Sequence, residues 1–257
     1  MRAKVETVRV DGLVVRLRTM APAGRMHDDL GPTTVLVHGI GMSHRSFARS
    51  QRALARTQRI VSVDLPGFGG VPAAGRRLSI EVLADLAVRA VRDRGAGDLV
   101  VIGQSMGAQV AVEAGLRHAE VVSSVVLVGP VVEERRRTVL QQALGLGRDS
   151  LAETPRMNAV IATDSLRSIR QYRHELGPML RYPMRARVQA HAAPVLVVRG
   201  SVDPIARRSW AQQLAHDARR GAFVELPGPH HVQERVPVAF ADLVAEFRRV
   251  ETLDRLR

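Results

Sequence analysis

"VVIGQSMGAQVA", residues 100–111, sets one serine between two glycines at the end of an apolar run. Residues 98–103 ("DLVVIG") read as a short buried strand, and the alanine-rich stretch over 105–117 reads as a helix. Ser105 therefore falls on a sharp strand-to-helix turn. In a parallel sheet, sites form where strands end and helices begin.

The flanking chain repeats this alternation. Strands are expected at 33–38 ("TTVLVH"), 59–64 ("RIVSVD"), 121–129, 194–200 ("PVLVVRG") and 222–226. The first of these is β-branched and looks buried on both faces, as a central parallel strand would be. Helices are expected at 46–56, 79–93, 206–219 and near the C-terminus. Ser79 is a candidate N-cap for the helix carrying Ile80, Leu83, Ala84, Ala87 and Val91 at helical spacing. At the start of the chain, "VETVRVDGLVVRLRT" reads as two strands around Asp11-Gly12, a pair that tolerates positive φ in a tight hairpin. Residues 21–32 read as a loop.

Regularity stops over residues 130–193, which hold charge runs and scattered prolines (Pro155, Pro178 and Pro183 after the opening Pro130) and show helical pieces without strands. That is too long for an ordinary loop. The expectation is an α/β core, 1–129 plus 194–257, with a helical cap inserted at 130–193. The core is a mostly parallel central sheet with helices on both faces and an N-terminal antiparallel hairpin.

Composition bounds the chemistry. The 257 residues are 46% apolar, enough for a large core, and contain no cysteine, which excludes disulfides and thiolate chemistry. The net charge is +13, and Lys4 is the only lysine. The arginines are scattered apart from "EERRR" at 133–137 and read as solvated helix faces. Aromatics are 3%, too few for base-stacking platforms, so nucleic acid is not an expected partner. The N-terminal stretch "MRAKVETVRVDG" lacks the apolar core of a signal peptide, and no apolar run is long enough to span a bilayer. A cytoplasmic location is expected, with a small molecule as partner. The oligomeric state is not legible.

Gly103-Gln104-Ser105-Met106-Gly107 is the G-x-S-x-G nucleophile elbow. The strained turn lifts the serine hydroxyl above the sheet. Side chains two residues away on either side would clash with neighbouring backbone, which calls for glycine. The following helix start aims N–H groups and positive dipole at a developing oxyanion.

On these residues the chain resembles the α/β-hydrolase fold family, and the resemblance runs over nearly its whole length. "VLVHGIGMSHRSF" (35–47) resembles the family's His-Gly loop, which implies an oxyanion-hole amide at Ile40 beside that of Met106, with His38 structural. "VDLPGFGG" (63–70) resembles an Asp-x-x-Gly-x-Gly turn, with Asp64 organising the loop. Asp203 in "VVRGSVDPIA" stands at the family's place for the triad acid, with Glu133 as a fallback. "LPGPHHVQERVPVAF" offers two histidines. Counting forward to the Glu and Pro, His230 matches, and the loop is similar to that of haloalkane dehalogenases. Counting back to Pro-Gly, His231 matches. His230 is favoured and His231 remains the alternative. Serine at residue 105, where dehalogenases and epoxide hydrolases carry aspartate, argues against both of those reactions.

The resemblance implies a Ser105–Asp203–His230 triad acting through an acyl-enzyme, with no metal or organic cofactor. A small or medium carboxylic ester is the expected substrate. Carbon–carbon bond hydrolysis of a diketone-like acid, or low-turnover binding of a small ligand, are the alternatives. The cap's apolar residues, among them Leu140, Leu144, Leu146, Ile161, Tyr172 and Met179, read as cap core, and none is singled out as binding.

Overall fold

The computed structural model describes residues 2–22, 31–134, 136 and 138–255, with side chains through residue 250. Most of the loop expected over 21–32, and Arg135 and Arg137 of the arginine run, lie outside the described residues.

The chain opens with β1 (Lys4–Val10) and β2 (Leu13–Met20), paired antiparallel with Lys4 opposite Thr19. Asp11 and Gly12 between them have φ of 50° and 77°, the two positive angles of the tight hairpin turn the sequence calls for. Six further strands follow: β3 (Thr33–Val37), β4 (Ile60–Asp64), β5 (Leu99–Gln104), β6 (Val122–Val128), β7 (Val195–Gly200) and β8 (Gly221–Leu226). They assemble in the order β1-β2-β4-β3-β5-β6-β7-β8. β2 meets β4 antiparallel, and from β4 to β8 every pairing is parallel.

Successive side chains of a strand point to opposite faces, and the sheet divides its residues accordingly. Val35, Val37, Val101, Val125 and Val197 join one core with helices α2 (Ile80–Arg92) and α3 (Met106–Arg117). Leu36, Ile102, Val126 and Val198 join the other core. There they meet Phe47 and Leu54, at the edge and end of α1 (Ala48–Leu54), and Phe240 and Val244, four residues apart on one face of the C-terminal helix. Ser79 caps α2, its hydroxyl accepting from Val82 N. Phe240 is fully buried, and truncating it to alanine would cost about 3–5 kcal/mol.

Between β6 and β7 the described residues form four helices: α4 (Val139–Ala152), α5 (Pro155–Arg167), α6 (Ile169–Arg181) and α7 (Met184–Ala190). No strand occurs among the described residues of this segment. The prolines have separate roles. Pro155 opens α5, where a missing N–H costs nothing and Thr154 caps the next turn. Pro178 sits inside α6, and Pro183 precedes α7. α7 packs against α3 and α8 (Arg208–Asp217), with Met184 and Val188 in the first core. The short α9 (Val232–Arg235) and the long α10 (Pro237–Arg255) close the chain. No helix among the described residues is long and apolar enough to cross a membrane.

Candidate active site

Ser105 sits where β5 becomes α3, with φ 58° and ψ −119°. A non-glycine residue in that region costs about 1–3 kcal/mol and persists only if its surroundings enforce it. They do. Ser105 N donates to Val128 O of the neighbouring strand at 2.9 Å. A Cβ on Gly103 would lie 1.8 Å from Gly107 O, and one on Gly107 would lie 2.2 Å from Val37 O. Backbone passes through the space that either side chain would need, so the G-x-S-x-G spacing is a steric requirement of this turn. Met106 is the first residue of α3, and its N–H is one of the helix's free N-terminal donors.

Asp203 and His230 meet. His230 Nδ1 donates to Asp203 Oδ2 at 2.8 Å, with both side chains buried. The other carboxylate oxygen of Asp203 accepts from Ile205 N at 2.8 Å and Ala206 N at 2.9 Å, which fixes its orientation. Burial alone would raise the Asp203 carboxyl. The imidazole and the two amides outweigh it and hold the group below its ordinary range. Gly129, at the end of β6, leaves room for the ring: a Cβ there would meet His230 Nδ1 at 2.8 Å. Glu133 is not brought to His230. It forms a two-pronged ion pair with Arg207, whose Nε lies 2.8 Å from Oε2.

His231 has a carboxylate of its own. Its Nδ1 lies 2.9 Å from Glu153 Oε1, and its backbone N–H donates to the same oxygen at 3.0 Å. One turn earlier on α4, Asp149 Oδ1 accepts the backbone N–H of His230 at 2.9 Å. The two imidazoles stand edge to face, with centroids 5.4 Å apart. Burial would lower the His230 imidazole. Asp203 first, then Asp149 and Glu153, reverse this and push it up to about 9. Burial raises Asp149, whereas hydrogen bonding from His231 outweighs burial at Glu153 and lowers it.

The supporting loops follow the same logic. His38 is buried, its Nδ1 bonded to Gly39 O at 2.8 Å and its Nε2 accepting from Leu65 N at 3.2 Å. Both ring nitrogens are thereby engaged in holding the loop. Asp64 accepts from His44 N at 2.7 Å and from the His44 ring at 3.0 Å. A Cβ on Gly69 would strike the Asp64 carboxyl at 2.5 Å.

Ser105, His230, His231 and Ile40 all line one cavity of about 210 Å³. Its floor is the strand ends and its roof is α4, α5 and α6, through Leu146, Ile161, Ile169, Tyr172 and Met179. Leu146, Ile161, Tyr172 and Met179, expected as cap core, all line the cavity; Met179 is also buried in the first core, and Ile161 packs against a cluster of Met42, Met157 and Val160. Leu140 and Leu144 are neither core nor lining, being 69% and 56% exposed. Among the described residues no arginine or lysine lines the cavity, although the sequence carries 38. The arginines go instead to ion pairs such as Arg89–Asp11, Arg117–Asp85 and Arg185–Asp217.

Among the described residues, Asp149, Glu153 and His231 form the one group with ligand-type atoms close enough together to hold a metal ion. Those atoms already bond one another and the backbone of residues 230 and 231, so the group reads as a hydrogen-bonded clamp. Sequence reasoning missed Asp149, Glu153 and Gln104, which also lines the cavity. Four-residue spacing on one helix was the only signal for the two acids.

The family model described as the alpha/beta hydrolase fold matches residues 32–215, and the chain belongs to that family. It is a hydrolase of this fold. The matched span contains Ser105 and Asp203 and stops before the two histidines. The chain is 28% identical over 230 residues to a pimeloyl-[acyl-carrier protein] methyl ester esterase from Chromobacterium violaceum, covering 78% of this chain and 87% of the relative. It is 22% identical over 222 residues to an (E)-2-((N-methylformamido)methylene)succinate hydrolase from Acinetobacter baylyi, covering 79% and 84%. The solved enol-lactonase from Burkholderia xenovorans LB400 superposes with a TM-score of 0.79 at 20% identity, covering 95% of this chain and all of that one. A proline iminopeptidase from Mycobacterium smegmatis gives 0.81 at 18% identity, covering 98% of this chain and all of that one. At such identities these two structures speak for the fold alone.

Proposed function

We propose that the protein hydrolyses small or medium, uncharged carboxylic esters through Ser105, His230 and Asp203. The observation that carries this reading is the 2.8 Å His230–Asp203 contact inside the cavity that Ser105 lines. In the first half-reaction His230 Nε2 takes the Ser105 proton while Oγ bonds to the ester carbon. The tetrahedral oxyanion lies against the amides of Ile40 and Met106. The loss of one such donor typically costs about 3–4 kcal/mol of barrier. Collapse breaks the bond to the alkoxy oxygen, which leaves with the proton from His230. Water then attacks the acyl-enzyme, giving its proton to His230, and Ser105 is released with the carboxylic acid. Asp203 holds the imidazole orientation and stabilises its charged form throughout.

Helices α4–α6 act in this reading as the cap, and their apolar undersides favour an aliphatic acyl group. Among the described residues no arginine or lysine lines the cavity, which weighs against a diketone-like acid, because its carboxylate would be left with the His230 imidazolium, the ring the reaction needs as its base, for a cationic partner. Similarity to methyl ester esterases supports an ester.

The test is fluorophosphonate labelling together with release of p-nitrophenol from p-nitrophenyl butyrate. The unmodified protein should do both, and Ser105→Ala should do neither. A folded protein that takes no label and cleaves no activated ester overturns the proposal. A panel of thioesters, lactones and dienone acids then orders the competing substrate classes.

A further inference from the structure

Among the cavity's hydrogen-bonding side chains outside the relay just described, two stand beside its reacting groups. Gln104 is fully buried, and neither its Oε1 nor its Nε2 has a partner among the described residues. Buried amides left this way are rare in folded proteins and are costly unless something enters to pair them. This one lines the cavity beside the nucleophile. A Cβ placed on Gly39 would stand 2.8 Å from Gln104 Oε1 and 3.0 Å from Ser105 Cβ, so the amide and the serine flank the same point.

His231 is the second. Its Nδ1 and backbone N–H are both held by Glu153, reaching down from α4. The hydrogen bond from His231 helps keep that carboxylate below its ordinary range, so Glu153 is an acceptor and Nδ1 is the donor. Nε2 is then the ring atom left for whatever occupies the cavity that His231 lines.

From these two groups we infer that Gln104 and His231 form a polar subsite for a hydroxyl group of the substrate, separate from its scissile carbonyl. This deepens the proposed ester reaction and rests on it. A hydroxyl fits because it can both donate and accept, and the Gln104 amide offers an oxygen and a nitrogen that have no partner among the described residues. A carboxylate fits less well, since among the described residues no arginine or lysine lines the cavity. The imidazole centroids of His230 and His231 are 5.4 Å apart, which places the hydroxyl a few bonds from the ester linkage. The substrate class is therefore a hydroxylated, uncharged ester. A polar subsite rejects an analogue lacking its partner far more strongly than an apolar wall rejects an added group.

The experiment compares propyl butyrate with two esters that add one hydroxyl, 2-hydroxyethyl butyrate on the alcohol side and propyl 3-hydroxybutyrate on the acyl side. Hydrolysis is followed by acid release. In the unmodified protein at least one hydroxylated ester should exceed propyl butyrate in kcat/KM by about tenfold or more. Gln104→Leu and His231→Leu should each bring that ratio toward one. A flat preference in the unmodified protein overturns the inference without recourse to any variant, as does a ratio that survives both substitutions. Ser105 labelling is measured in parallel. Intact labelling with flat preference removes the subsite alone, whereas absent labelling with no ester cleaved removes the ester reading and the subsite with it.

Discussion

The backbone N–H of His230 donates to Asp149 Oδ1 over 2.9 Å, joining a loop at the far end of the chain to helix α4 over the cavity. Glu153 makes the equivalent bond to His231, one helical turn along. Two carboxylates at i and i+4 thus hold two consecutive amides, and the position of α4 sets the position of both imidazoles. The rest of the roof is tied to the opposite wall. Ser43 Oγ and Arg45 Nη1, on the loop after β3, reach Asp164 of α5 at 2.5 Å and 2.6 Å. The helices over the cavity are anchored on both sides of Ser105.

Each histidine has its own carboxylate, so the two can be separated by substitution. His230→Ala should lower kcat/KM on p-nitrophenyl butyrate by roughly 10³-fold or more, the scale on which a triad base matters. His231→Ala should lower it far less. Steady-state kinetics on both variants decides the matter. The reverse ranking would transfer the role of base to His231 and of acid to Glu153.

The carboxylates around His230 give its titration a sign. Asp203, Asp149 and Glu153 pull its imidazole up to about 9 against the effect of burial. Only the neutral ring accepts the Ser105 proton, so kcat/KM should climb with pH above the ordinary histidine range. Asp149→Asn keeps an oxygen for the His230 N–H and removes one negative charge. Its rising limb should therefore lie at lower pH than that of the unmodified protein. Folding favours the protonated ring, so that stabilisation is complete below about 6.5 and is lost as pH rises through about 9. The melting temperature should fall over that window, and in Asp149→Asn the fall should begin earlier. Coincident profiles for the two proteins would remove Asp149 from the electrostatics of the site.

The contrast between what was legible and what was not is physical. Gly103 and Gly107 announce themselves because backbone sterics permit almost nothing else at those positions, and Ser105 stands out as the polar side chain kept between them. The apolar runs at residues 35–37 of β3 and 125–128 of β6 are equally plain, since a strand segment buried on both faces is apolar at consecutive positions. α4 defeats the same reasoning. Leu140, Leu144 and Leu151 face solvent, whereas Gly145 and Asp149 are buried, so apolar periodicity points to the wrong face. The role of Asp149 exists only through an amide 81 residues away. The two histidines were ambiguous because spacing counted from either side selects a different one, and in the structure each has a carboxylate partner of its own.

Gly103 and Gly107 make the steric claim testable. With a Cβ only 1.8 Å and 2.2 Å from carbonyl oxygens, neither position can accept alanine unless strands β3 and β5 or the start of α3 move. Gly103→Ala and Gly107→Ala should each cost several kcal/mol, lowering the melting temperature by roughly 10 °C or preventing folding. Gly97→Ala is the control, because a Cβ there meets nothing within 4 Å. Thermal unfolding of the three variants measures the difference. Unperturbed melting in either elbow variant would contradict the packing described.

Glu234 connects the histidine loop to the other face of the sheet. Its Oε1 accepts from Arg49 N at 2.7 Å and Ser50 N at 3.0 Å, the free donors at the start of α1. The neighbouring Gln233 bonds Ser46 O at 2.9 Å, so α9 is stitched to the turn before α1 at two points. Glu234→Ala would leave those two N–H groups without their acceptor, at a cost of about 1–3 kcal/mol. Glu234→Gln keeps an oxygen in place and should cost less. Because α9 begins directly after His231, loosening it should also disturb the imidazoles. Glu234→Ala should therefore lose kcat/KM along with melting temperature, and Glu234→Gln should recover part of both. If the alanine variant melts with the unmodified protein and keeps its rate, the histidine loop is held by α4 alone.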